Sequence, residues 1–324
     1  MVSQEGLLSA WTAPDAPGKI EPMAATRKLS SVQVDVFTDR ALTGNALAVV
    51  LDGRGLTTEQ MQAFARETNL SETTFIISGE AAAEKSRGTR VRIFTVQEEL
   101  PFAGHPTLGT AFVLRGQSGA AEILLDLNVG TVPVRFQDRP GQPAFGEMTQ
   151  KNPEFGAIHD PQAIAGLTNL SPSDFDPSVP IQTVSTGMPF TIAAIRSLKA
   201  LQSLRLDHVR ATEYLARSGG KFIYFVSRET VDPKARLHAR MIFYNGEDPA
   251  TGSAAGCCTA WMVEHGVAAS DEQVMIEQGI EMHRPSCIFV RATKAANARD
   301  NQVINVRVGG NCVEVLRAEI TLTI

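Results

Sequence analysis

The stretch Tyr244-Asn-Gly-Glu-Asp-Pro-Ala-Thr-Gly-Ser-Ala-Ala-Gly-Cys-Cys-Thr-Ala-Trp-Met-Val263 begins as a polar loop with two carboxylates, Glu247 and Asp248. Pro249 and Gly252 follow, and then a run of small residues that predicts an amphipathic helix ending at Gly266. A helix that starts at a glycine after such a loop points free N–H groups and a positive dipole end outward. The stretch therefore reads as an anion-binding helix start with an acid beside it.

A second stretch has the same character. Phe102-Ala-Gly-His-Pro-Thr-Leu-Gly-Thr-Ala-Phe-Val-Leu114 places a proline in the first turn, where its missing N–H costs nothing. Aligning Gly104 with Gly252 gives an offset of 148 residues, half of the 296 that remain after residues 1–28. The alignment predicts a duplication in which two helix starts face one cleft.

Around these helices the sequence reads mostly as strands. Val32–Phe37 alternates strictly, as a half-buried strand does. Ala46–Leu51, Thr73–Ile77, Val91–Thr95, Glu122–Leu127 and Thr131–Phe136 follow, and Thr57-Thr-Glu-Gln60 has the spacing of a capping box. Beyond them, strands are expected at Ile181–Ser185, Thr191–Ile195, Lys221–Val226, Arg236–Tyr244, Gln273–Ile276, Ser286–Thr293, Val303–Val308 and Cys312–Ile324. Helical segments are expected at Ser197–Leu204 and His208–Arg217. Many strands without βαβ alternation argue against a doubly wound nucleotide fold, and no Gly-x-Gly-x-x-Gly follows a strand. The Pro- and Gly-rich Arg139–Pro143 is the expected crossing between two domains. The divisions are a tail over residues 1–28, a first domain over 29–140 joined by the strand 310–324, and a second over 141–309.

The totals exclude several classes. The formal charge of −5 without a basic block disfavours nucleic acid and membrane surfaces as partners. A mean hydropathy of −0.05 and the absence of a long apolar run describe a globular chain rather than a membrane span. Cys257, Cys258, Cys287 and Cys312 form no CxxC pair and no metal-ligand spacing with the histidines. A reducing, cytoplasmic setting is expected, with the adjacent Cys257 and Cys258 as small buried hydrophobes. Residues 1–28 lack the pattern of a signal peptide, and Glu5, Asp15 and Glu21 weigh against a transit peptide.

Six motifs, in order, resemble those of the PhzF-like isomerases of phenazine biosynthesis, whose fold is shared with diaminopimelate epimerase. They are Val34-Asp-Val-Phe37 with Gly44-Asn45, Asn69-Leu-Ser-Glu-Thr-Thr-Phe75, Arg92-Ile-Phe-Thr95, Gly104-His-Pro-Thr-Leu108, Asp248-Pro-Ala-Thr-Gly-Ser-Ala254, and Gln278-Gly279 with Arg284-Pro-Ser286. The resemblance implies an α+β fold of two pseudo-symmetric domains, each a curled, mainly antiparallel sheet around a central helix. It implies an active cleft between them, no cofactor or metal, and a homodimer. It carries the acid/base glutamate onto Glu72, the active-site histidine onto His105, and the aspartate and serine onto Asp248 and Ser253. His283 stands where the family usually has glycine. Racemases of this fold use two thiols, whose positions fall here on Ala103 and Thr251; neither side chain takes up a proton at neutral pH.

Taken singly, these residues have plainer readings: an exposed turn glutamate, a structural histidine, an Asp-Pro turn. Glu72, however, opens an apolar strand, where desolvation raises a carboxyl pKa and poises it for proton transfer. His105 at a helix start is held neutral by the dipole. Ser253 lacks a nucleophile elbow and reads as a donor to a substrate carboxylate, with Gly104 and Gly252 completing an anion hole. Asn45 and Gly187 are candidate cleft residues. The expected activity is a cofactor-free isomerase moving a proton between carbons of a small carboxylate-bearing substrate. An epimerase using two carboxylates and a non-catalytic acid-binding protein are the alternatives.

Overall fold

The computed structural model describes residues 26–79, 86–138, 140–141, 143–243, 246–295 and 302–323. Its helices are few and its strands many, in a mixed, sheet-dominated α+β fold. The first strand series is β1 (Thr26–Val36), β2 (Asn45–Val50), β3 (Glu72–Ile77), β4 (Thr89–Phe94), the short β5 (Glu99–Leu100), β6 (Glu122–Leu127), β7 (Gly130–Gln137) and β8 (Phe145–Thr149). The long β17 (Val303–Thr323) joins it. In order β1–β2–β3–β4–β6–β7–β8–β17, these strands close on themselves, because β17 pairs with both β8 and β1. Closure leaves the barrel no free edge. β5 lies outside the ring, on β4.

The second series is β9 (Glu154–His159), β10 (Ile181–Ser185), β11 (Pro189–Ile195), β12 (Phe222–Ser227), β13 (Leu237–Phe243), the short β14 (Gly246–Asp248), β15 (Val274–Gln278) and β16 (Ser286–Lys294). From β10 the pairings run antiparallel, parallel, antiparallel, parallel, antiparallel, antiparallel, ending on β17. The first series from β1 follows the same sequence of senses as far as β8. β14 flanks β13 as β5 flanks β4.

Each series wraps one helix that begins at a glycine. α1 (Thr58–Thr68) packs outside the first barrel and starts at the expected capping box of Thr57 and Gln60. α2 (Gly104–Arg115) runs through the first barrel, and a Cβ on Gly109 would lie 2.7 Å from Leu47 Cδ2, so the helix needs a glycine to sit this close to β2. Outside the second series lie α3 (Pro161–Ala165), α4 (Leu198–Ser203) and α5 (His208–Ser218). α6 (Gly252–Glu264) forms its axis. This helix is not amphipathic as expected: every residue from Gly252 to Val263 is buried, because strands surround it. Trp261 is among the largest buried side chains and satisfies its indole N–H on the Pro180 carbonyl at 3.0 Å. Burying each such side chain stabilises the fold by roughly 1.5–3 kcal/mol.

Other boundaries differ with clear causes. β1 begins at Thr26, six residues before the alternating Val32, because its outer end pairs with the end of β17. The two expected strands Val303–Val308 and Cys312–Ile324 fall in one strand, β17, continuous through Gly309-Gly310-Asn311 as far as Thr323; Ile324 lies outside the described residues. These glycines act as close-approach points rather than a turn: a Cβ on Gly310 would lie 2.6 Å from Phe37 Cδ1. β7 and β8 flank Arg139–Pro143 and pair with each other, so they form a hairpin within the first series. The chain leaves that series after β8, at residues 150–153; Arg139 and Gln142 lie outside the described residues. So do Tyr244, Asn245 and residues 1–25 of the expected tail. All four cysteines are free, and Cys257 and Cys258 are fully buried, as expected. No described helix is long and apolar enough to cross a membrane.

Candidate active site

The starts of α2 and α6 meet backbone to backbone. A Cβ on Gly104 would lie 2.6 Å from both Gly252 C and Ser253 N, and one on Gly252 would lie 3.3 Å from Gly104 Cα. Only glycine permits this approach. Ser253, the second residue of α6, is buried at the junction.

Glu72, His105 and Asp248 converge beside it, 7%, 2% and 4% exposed. Glu72 opens β3 opposite Leu47 of β2, His105 is the second residue of α2, and Asp248 ends β14. Glu72 Oε2 stands 3.5 Å from His105 Nε2, and both atoms are buried without a hydrogen-bond partner. Unpaired buried polar atoms cost stability and are kept where something else uses them.

Asn45, at the start of β2, organises the cluster. Its Nδ2 lies 2.7 Å from Asp248 Oδ1, 2.9 Å from the Ala250 carbonyl and 3.2 Å from His105 Nδ1. The Ala250 carbonyl can only accept, so the amide N–H side faces all three. His105 Nδ1 must then be the unprotonated nitrogen, and the ring's proton sits on Nε2, aimed at Glu72. Burial holds the imidazole neutral by lowering its pKa to about 3.

The two carboxyls have different surroundings. Burial raises the Glu72 carboxyl well above the ordinary range, and the Asp248 charge raises it further. Burial also raises Asp248, but hydrogen bonds from Thr251, Ser71 and Asn45 limit the rise, leaving it at about 6. Thr251 Oγ1 lies 2.6 Å from Asp248 Oδ2, and Ser71 Oγ 2.9 Å from Oδ1. Ser71, Thr251 and Gln278 are functional candidates that sequence reading passed over. In the sequence Thr251 stands out only as the position of a racemase thiol.

A second tier holds Asn45 in place. Arg284 Nε donates to the Gly44 carbonyl at 2.8 Å, and Nη2 to the Thr43 carbonyl at 2.8 Å and to buried Asp35 at 2.7 Å. His283 keeps a left-handed backbone, φ 57°, where the resemblance implies glycine. The turn into Arg284 is therefore retained. The preceding Gly279 could not be replaced as easily, since a Cβ there would lie 2.5 Å from the Pro249 and Arg284 carbonyl oxygens.

Gly187 sits apart from this cluster. It borders a cavity of about 230 Å³ lined by Phe102, Val132, Pro133, Gln150 and Thr186. The cavity reaches the helix junction through Gln150, whose Nε2 donates to the Gly252 carbonyl at 2.9 Å and whose Oε1 accepts from Thr186 at 2.6 Å.

Comparison with known proteins identifies relatives of the whole chain. Residues 34–318 match the family model described as phenazine biosynthesis-like protein. The chain is 40% identical over 295 residues to an uncharacterized isomerase of Mesorhizobium japonicum, covering 87% of this chain and 95% of that protein. It is 33% identical over 294 residues to the trans-2,3-dihydro-3-hydroxyanthranilate isomerase of Pseudomonas chlororaphis, covering 90% and 99%. Among solved structures, one described as a predicted epimerase from Pseudomonas aeruginosa superimposes with a TM-score of 0.77 at 35% identity, covering 90% of this chain and 99% of that one. With the family model matched over residues 34–318 and these isomerases as relatives, the chain belongs to the phenazine biosynthesis-like family of PhzF-type isomerases.

Proposed function

We propose that this protein is a cofactor-independent isomerase that moves a proton between carbons of a small, cyclic, carboxylate-bearing substrate, with Glu72 as the acid/base. One observation supports this above the others. Glu72 is a buried carboxyl with its Oε2 unpartnered, beside a neutral histidine, at the junction of two helix starts. A raised pKa makes its ionised form a stronger base than a free carboxylate, and its protonated form an acid near neutral pH.

In this reading the substrate carboxylate is held by the N–H groups at Gly104, Gly252 and Ser253. Glu72 removes a proton next to an unsaturated centre, and the C–H electron pair shifts through the conjugated system. The resulting enolate-like charge is stabilised by the helix ends. Glu72 then returns the proton at another carbon. One C–H bond breaks, one forms, and no electrons are exchanged with a cofactor. His105 Nε2–H steadies the carboxylate that forms, Asn45 orients both partners, and the cavity at Gly187 provides room beside the junction.

The two strand series are taken as two pseudo-symmetric domains that divide after β8, with the end of β17 returned to the first. Supporting this, the Arg92–Glu99 ion pair recurs 148 positions later as Arg240–Glu247, each spanning β4–β5 or β13–β14. A cytoplasmic homodimer completes the proposal. Light scattering tests the dimer.

An epimerase would need Asp248 to exchange protons as Glu72 does. Both Asp248 oxygens already accept hydrogen bonds, which favours isomerisation. The test takes trans-2,3-dihydro-3-hydroxyanthranilate, the compound named in the Pseudomonas relative, and follows it by ¹H NMR. A product with its double bonds relocated supports the reading. Thermal stabilisation by the acid without turnover would favour a binding protein, and inversion at one carbon an epimerase.

A further inference from the structure

The asymmetry between the two carboxyls has a source one layer behind them. Gln278, at the end of β15, is fully buried and uses all of its amide capacity. Its Nε2 lies 2.7 Å from the main-chain carbonyl of Asp248 and 2.9 Å from Thr251 Oγ1. Its Oε1 lies 3.2 Å from the Thr251 N–H and 2.9 Å from the hydroxyl of fully buried Tyr224. A carbonyl can only accept and a main-chain N–H can only donate, so these two contacts fix which end of the amide is which. Thr251 Oγ1 must then accept from Gln278 Nε2. Its own proton is directed to Asp248 Oδ2 at 2.6 Å.

Asp248 Oδ2 therefore receives a donor whose direction is set by the protein, and Oδ1 receives Asn45 and Ser71. A neutral Asp248 would need an acceptor for its own proton; Oδ2 faces a fixed donor, and at Oδ1 only the Ser71 hydroxyl could turn to accept, since Asn45 donates there. Glu72 has no comparable support: its Oε2 is buried without a hydrogen-bond partner, and His105 Nε2 stands 3.5 Å from it. We propose that Gln278 and Thr251 are positioning residues that keep Asp248 ionised and so confine proton exchange to Glu72. The proposal rests on the isomerase reading above and adds to it the group that decides which carboxyl titrates.

The titratable groups facing Asp248 are Glu72 from β3, His105 from α2, Tyr224 from β12 and the adjacent Glu247. Glu247 is neutralised by Arg240 at 2.7 Å, and His105 is neutral. The exchangeable proton therefore belongs to the carboxyl pair.

The experiment compares Thr251→Val, Thr251→Ser and Gln278→Leu. The carboxyls are titrated by ¹³C NMR without substrate, using Asp248→Asn and Glu72→Gln to assign the signals, and the pH profile of kcat/KM is recorded. Thr251→Val is expected to raise the Asp248 titration by about one pH unit and to add a second ionisation to the profile. Thr251→Ser restores both. Titrations in Thr251→Val that match the wild type would overturn the proposal, as would Thr251→Ser behaving like Thr251→Val, which would mark a packing role. Should Gln278→Leu not fold, the threonine pair carries the test alone. The titration needs no turnover, so its failure is separable from that of the isomerase reading, which falls if Glu72→Gln keeps full activity.

Discussion

Replacing Gly104 by alanine would put a methyl carbon 2.6 Å from Gly252 C and Ser253 N, and 2.8 Å from Gly252 Cα. Ordinary contact begins near 3.4 Å, so the two helix starts must part by about 0.8 Å. All three obstructing atoms are backbone, so no rotamer change relieves the clash. Overpacking of this kind costs roughly 1–3 kcal/mol, and the geometry points to the upper end. Gly252→Ala supplies the comparison: its methyl meets mainly the Phe37 ring, at 2.8 Å, and the Gly104 Cα at 3.3 Å. A ring can yield where backbone cannot, so Gly252→Ala should cost less. Displacing a binding group by about 1 Å can cost on the order of 100-fold in rate. Gly104→Ala should therefore lose both stability in urea unfolding and about that factor in kcat/KM, more than Gly252→Ala on each count. Equal stability and undiminished activity in Gly104→Ala would refute the account of the junction.

Two further outcomes follow from the same geometry. A carboxyl raised on folding favours the folded state below its unfolded pKa, and that contribution is lost as pH rises through its folded pKa. Glu72 is raised, chiefly by burial, so Glu72→Gln should be more stable than wild type at pH 8, with the difference shrinking as the pH falls and the wild-type carboxyl is protonated; the opposite sign in urea titrations would contradict the burial argument. His283→Gly removes a non-glycine residue from φ 57°, and should change stability by less than about 1 kcal/mol and leave kcat/KM unaltered. A tenfold loss of activity would instead place the exposed imidazole against substrate.

Local signals carried much of the fold. The Thr57–Gln60 capping box marks a helix start within one residue because both partners lie inside one turn. The 148-residue offset between Gly104 and Gly252 also separates the Arg92–Glu99 and Arg240–Glu247 ion pairs, which span β4–β5 and β13–β14. Features that depend on distant packing were not legible. α6 looks two-sided in sequence, since its small residues and thiols carry no label for the strands that surround it. Gly309-Gly310 looks like a turn, and only the Phe37 ring and the Gly146 carbonyl explain why a strand needs glycines there. The short strands β8 and β9 lack the alternation that marks β1. At the site, Glu72, His105 and Asp248 were found through motifs, whereas Gln278 acts across 30 residues on a main-chain carbonyl. No spacing rule reveals such a contact.

The central claim is that the proton travels on Glu72, and hydrogen exchange tests it most directly. Wild-type protein and Glu72→Gln are incubated in D₂O with trans-2,3-dihydro-3-hydroxyanthranilate, and deuterium at carbon is read by NMR. General acid–base groups contribute about 10²–10⁴-fold. The account predicts deuterium in the wild-type product and incorporation reduced by that factor in Glu72→Gln, whose fold is preserved. Incorporation in Glu72→Gln at the wild-type rate would contradict it.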